Sequence, residues 1–154
     1  MGIPSETMWT MTGDSKSAMQ AKLTTMLRHL DELEKRLPAA VEAYLGDRDR
    51  QLAVERLCQL VVECAIDANA LLLSALGEPP PQSAREGFEG VERNGVLDPS
   101  LSHLFRFTLV SFRHRLVHDY ERLDNRIVHR TARRLLEAGR QYVAAVSAFL
   151  SRQV

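Results

Sequence analysis

Cysteine is scarce: Cys58 and Cys64 are the only two in 154 residues. Six apart on one predicted helix, they point roughly 240° around from each other, which excludes a mutual disulfide or a shared metal. Buried thiols are the expected role. Also missing is an apolar run of the ~18 residues needed to span a bilayer, and a signal-peptide core. A cytoplasmic protein without a membrane segment is the expectation. Strand-type alternation is lacking along the whole chain, so a sheet is excluded. Metal-ligand spacing is lacking too. His29, His103 and His129 stand apart as incidental residues, and Glu63 and Asp67, four apart on one helical face, have no third ligand. Of the three readings of that acidic pair, a solvated face is favoured over metal ligation or pairing with arginines. No metal and no cofactor is expected.

What is present fits one soluble domain. Apolar residues make up 45% and charged residues 26% of the chain, which argues against disorder. A single domain of this length buries roughly two thirds of its unfolded surface without needing staples. The formal net charge is zero, but it is segregated. Residues 1–100 hold 10 basic and 16 acidic residues, net −6; residues 101–154 hold 10 basic and 4 acidic, net +6, every basic one an arginine. Such a half favours a polyanionic partner, or else the two halves attract each other in the fold.

Residues 1–17 carry little apolar periodicity and are expected to be a flexible tail, with Met8, Met11 and Met19 as alternative starts; the domain then spans 18–154. A first helix is predicted from about Ala18 to Tyr44, with Leu23, Met26, Leu27, Leu30, Leu33, Leu37 and Val41 as its stripe and Pro38 as a kink or split. The second, about Asp49 to Leu76, has Leu57, Leu60, Val61, Cys64, Ala68, Leu71, Leu72 and Ala75 in register, small residues Ala65, Ala68 and Ala70 for close approach, and Gly77 at its end. After Pro79–Pro81, the spacing Ser83 to Glu86 is that of a capping box and opens a short helix to about Arg93. Asp98 as N-cap with Pro99 in the first turn starts the fourth helix. The last runs from Asp124 or Asn125 to about Arg152, apolar at Leu135, Leu136, Tyr142, Val143, Val146 and Phe149 and wet at Arg126, Arg130, Arg133, Arg134 and Arg140. The fold class is all-α: an antiparallel bundle of four long helices plus one short one.

The fourth helix delivers the chain's densest chemistry, Phe112-Arg113-His114-Arg115-Leu116-Val117-His118-Asp119-Tyr120. Histidine exchanges protons near neutrality, and arginine is a permanently charged fork that fits phosphate oxygens. Together they suit phosphodiester chemistry. Arg113 and His118 are five apart, about 140° around an unbroken helix, so one regular helix would not aim both at one atom. Either the helix ends between them or a second copy completes the site.

The spacing Arg113, four residues, His118, one residue, Tyr120 resembles the signature of the HepT toxins of the HEPN superfamily. His114 fills a polar slot where asparagine is commoner. Ala53 to Gln59, the helix through Glu63 and Asp67-Ala68-Asn69, and the connection from Pro79 to Phe88 extend the likeness over residues 20 to 150. The resemblance implies a HEPN-like homodimer with two motifs facing one cleft, and metal-independent RNA cleavage leaving a 2′,3′-cyclic phosphate. His118 would be general base or general acid depending on the subunit, and Arg113 would stabilise charge on the non-bridging oxygens. His114 and Arg115 would support the motif or contact phosphate. It further implies that Tyr120 is adenylylated by a minimal nucleotidyltransferase acting as antitoxin. The alternative from a different class is a non-catalytic helical dimer that only docks such a nucleotidyltransferase.

Overall fold

The computed structural model describes residues 11–153, and every element among them is helical. The first ten residues of the expected tail lie outside that range. The rest of it does not stay loose: α1, Gly13–Arg36, starts five residues ahead of Ala18 because Thr12 caps it, its Oγ1 accepting from the Ser15 amide at 3.0 Å. Small polar residues hide that turn from an apolar pattern.

Pro38 splits the first predicted helix outright. Leu37 is driven to extended backbone (φ −92°, ψ 106°), as expected for a residue before proline, and a separate short helix follows, α2, Val41–Leu45. His129, which sequence reasoning set aside, sits buried with Nε2 2.7 Å from the Pro38 carbonyl and so pins the break. Gln51 Nε2 donates to the carbonyls of Tyr44 and Leu45 at 3.0 and 3.1 Å, which satisfies the end of α2.

The central helix α3, Arg48–Ala75, is capped by Asp47 and packs against α1 and every later long helix. It alone among the described helices passes a length and mean-hydropathy criterion for crossing a bilayer, although Glu63 and Asp67 interrupt its apolar residues. Half of that apolar window is buried inside the bundle, where a core helix has the same composition. Both cysteines are buried there and free, and burial pushes the Cys58 and Cys64 thiols up. Two expectations fail on this helix: Leu71 and Ala70 face solvent, while Leu73 takes the inward place.

Gly77 and Gly95, at φ +79° and +78°, end α3 and α4 (Ala84–Arg93) in the left-handed conformation that glycine adopts without strain. Ser83 accepts from the Glu86 amide at 3.1 Å and the Glu86 carboxylate returns to the Gln82 amide, a capping box displaced by one residue.

Asp98, accepting from the Leu101 amide at 2.8 Å, opens a long rod. It comprises α5 (Pro99–Leu104), one widened π turn (Phe105–Leu109) and α6 (Val110–His118). A 3₁₀ turn, Tyr120–Arg122, leads to α7, Asn125–Ser151. Phe88, Phe105 and Tyr142 stack where α4, the rod and α7 meet, with ring centroids 4.8 to 6.3 Å apart. The buried Tyr142 hydroxyl reaches Asn69 Oδ1 on α3 at 2.7 Å. On the outer face of α7, Arg126, Arg130, Arg133 and Arg134 are exposed as expected, whereas Arg140 is tied to Asp31 and Glu34.

Candidate functional site

The motif lies on the last helical stretch of the rod. Phe112 and Leu116 bury against the bundle, and this pair fixes which way their neighbours face. Arg113 is turned back toward α3 and is 33% exposed; His114, Arg115 and His118 are exposed. The helix runs without interruption through His118, and the Asp119 amide still bonds to the Arg115 carbonyl at 2.8 Å. Of the two ways in which Arg113 and His118 could converge, an early helix end is therefore ruled out.

Arg113 instead meets Glu63. Its Nε and Nη2 donate to Oε2 of that carboxylate at 3.2 and 2.9 Å, and Gln59 Nε2 donates to the same oxygen at 3.0 Å. Sequence reasoning favoured a solvated Glu63; the pairing with an arginine, 50 positions away, is what forms. Asp67 is held by Lys22 at 3.5 Å. Burial alone would raise the Glu63 carboxyl, but the hydrogen bonds from Gln59 and Arg113 and the charges of Arg113 and Arg56 outweigh it and hold the group below the usual range. A single oxygen taking three donors fixes the direction of the guanidinium.

His118 converges with His114, one helical turn before it, and the ring centroids are 4.5 Å apart at 46°. The motif thus divides over two faces of α6: an arginine anchored to α3 and a pair of solvent-facing imidazoles. Tyr120 opens the 3₁₀ turn directly beyond them. Among the described residues, no group of three histidine, cysteine or acidic side chains could hold a metal ion.

Beside the imidazoles lies a groove of about 400 Å³ between the first turn of α4 and the outer face of α6, bounded by Arg85, Ser111, His114 and Arg115 among others. Arg85 comes from a segment that carried only a helix-start signal in the sequence. Its Nε donates to the Arg106 carbonyl at 3.0 Å and its Nη2 to Ser111 Oγ at 3.2 Å.

A family model described as ribonuclease HepT-like matches residues 26–146, which include the whole motif. The chain belongs to that family. It is 29% identical over 140 residues to a tRNA nuclease HepT of Aphanizomenon flos-aquae, an alignment covering 91% of this chain and 95% of that one. The fold is shared with a tri-AMPylated HEPN toxin of Shewanella oneidensis, solved in complex with an MNT antitoxin. That match has a TM-score of 0.76 at 24% identity, over 84% of this chain and 96% of the other. A cytosolic protein of unknown function, YutE of Bacillus subtilis, matches with a TM-score of 0.76 at 16% identity, over 90% and 92% of the two chains.

Proposed function

We propose that this protein is the toxin of a toxin–antitoxin pair, an endoribonuclease whose working site forms where two copies bring their α6 helices together. The observation carrying this reading is the division of the motif. An uninterrupted helix presents Arg113 on one face and His118 on another, so a second copy is the remaining means of placing both at one phosphodiester. The similar tRNA nuclease at 29% identity supports RNA as the substrate class.

In the proposed reaction His118 of one copy takes the proton of a ribose 2′-hydroxyl. The oxygen attacks phosphorus, and the 5′-oxygen leaves with a proton from His118 of the other copy, giving a 2′,3′-cyclic phosphate. Arg113 offers its remaining N–H donors to the non-bridging oxygens, where negative charge grows. His114 and Arg115 contact the backbone to either side. The donors at the site are arginine and imidazole, which supports chemistry without a metal ion.

Regulation in this reading falls to a nucleotidyltransferase antitoxin, a proposal supported by the complex of the Shewanella oneidensis toxin. The Tyr120 hydroxyl oxygen attacks the α-phosphorus of ATP, pyrophosphate leaves, and the tyrosine proton is lost to solvent. A nucleotide bound two residues beyond His118 adds bulk and negative charge where RNA must enter.

The test is a cleavage assay on tRNA with EDTA present, followed by end-group analysis. Wild type is expected to leave cyclic phosphate ends, and Arg113→Ala and His118→Ala are each expected to lose at least about 100-fold in rate while keeping helical circular dichroism. Full activity of either variant, or a requirement for added Mg²⁺, would reject the mechanism. A wild-type protein that binds a nucleotidyltransferase and cleaves nothing would be a docking module instead.

A further inference from the structure

We infer that Arg85 builds, with Ser111, His114 and Arg115, a subsite for an RNA phosphate flanking the one that is cleaved. The inference rests on the ribonuclease reading above and adds to it a residue from a different element.

Arg85 is exposed, yet it is held. Its Nε is fixed on the Arg106 carbonyl and its Nη2 on Ser111 Oγ, and its guanidinium carbon lies 5.9 Å from the centre of the Phe107 ring. Both Arg106 and Phe107 belong to the widened turn of the rod, a type of irregularity often found at functional sites. An exposed arginine fastened in this way has lost much of its freedom before any ligand arrives, so less is lost on binding. Its Nη1 has no partner among the described residues, and no carboxylate of the described residues pairs with Arg85 or Arg115. The nearest acidic group in sequence, Glu86, is turned back to the Gln82 amide.

Two permanent cations, a hydroxyl and an imidazole therefore border one small groove. That set selects an anion with several oxygens, and a planar fork with a fixed direction suits phosphate. His114, on the border of the groove, has its ring centroid 4.5 Å from that of His118. A phosphate held there belongs to the same strand as the one being cleaved. Carboxylates of a protein partner would be drawn by the same charges, but the position of the groove beside the imidazoles favours the substrate.

The experiment measures binding of a fluorescein-labelled tRNA by the full chain carrying His118→Ala, over a series of salt concentrations, with and without Arg85→Ala or Arg85→Lys. Arg85→Ala is expected to weaken binding about tenfold at low salt. It is also expected to reduce the slope of log K against log salt by about 0.7–0.9, the share of one phosphate. Arg85→Lys is expected to restore the slope while recovering only part of the affinity. With His118 intact, Arg85→Ala is expected to raise KM more than it lowers kcat. Unchanged affinity and slope would overturn the subsite. So would a loss accompanied by a fall in melting temperature and matched by Phe107→Ala, since that pattern marks a role in holding the turn. Loss of antitoxin binding with RNA affinity intact would also overturn it. Wild-type protein that binds tRNA through Arg85 without cleaving it would leave the subsite standing and reject the ribonuclease reading.

Discussion

Arg113 and Glu63, 50 positions apart in sequence, are joined by two hydrogen bonds that converge on one carboxylate oxygen. The pair is about one third exposed on each side, so its direct contribution to stability is modest, about 1 kcal/mol or less. Its consequence is directional: Gln59 and Glu63 set the azimuth at which the arginine leaves α6.

Glu63→Gln is accordingly expected to cost less than about 1 kcal/mol of stability and to lower kcat about tenfold, with KM little changed. Stopped-flow cleavage and denaturant titration read the two effects separately. A variant that loses stability and keeps kcat would show that Glu63 only braces the bundle. The pair also has a pH signature. Because the folded-state pKa is depressed, its stabilisation is present above the ordinary glutamate value of about 4.3. It is lost as pH falls through the lower folded value. The stability gap between wild type and Glu63→Gln should be constant near neutrality and close below about pH 4; a gap that widens in acid would contradict this assignment.

A site shared by two copies predicts dominance. A heterodimer of one wild-type and one His118→Ala chain, isolated with two affinity tags, should have less than a tenth of wild-type activity, because a positioned acid or base contributes about 10²–10⁴-fold. Retention of half the activity would mean that each chain works alone.

For Tyr120, co-expression with the cognate nucleotidyltransferase should add AMP to that residue, as read by peptide mass spectrometry. Tyr120→Phe should then escape neutralisation. Equal neutralisation of the phenylalanine variant would mean that the antitoxin acts by binding alone.

Within the core, Tyr142→Phe should destabilise the domain by about 1–3 kcal/mol. It leaves Asn69 buried with neither Oδ1 nor Nδ2 bonded, since Nδ2 already has no partner among the described residues. Denaturant unfolding measures this. Cleavage at low temperature should be unaffected, as the pair lies away from α6's outer face.

The sequence was most informative where a signal is local. Asp98-Pro99, Ser83 and Gly77 mark helix ends by chemistry that acts within one turn, and they stand where expected. The 140° separation of Arg113 and His118 also follows from spacing alone. The choice of Glu63 over solvent was not legible, because it depends on how α3 lies against α6. Arg85 was hidden for the same reason: only the folded chain brings the start of α4 beside Ser111. Leu71 and Leu73 exchanged places because both fit an apolar helix, and packing chooses between them.

The widened turn at Phe105–Leu109 works as a vernier. Inward positions along the rod are Leu101, Phe105, Leu109, Phe112 and Leu116, a span of fifteen residues where four regular turns take about 14.4. The surplus is absorbed in one place, so both flanks stay in phase with the bundle. The same widened turn carries the Arg106 carbonyl and the Phe107 ring that Arg85 meets. Removing Thr108 would return the rod to nearly regular pitch with its inward stripe aligned, and would dismantle the arginine's seat. If Arg85 holds a phosphate as proposed, deleting Thr108 is expected to weaken the grip on a polyanion while the bundle still folds.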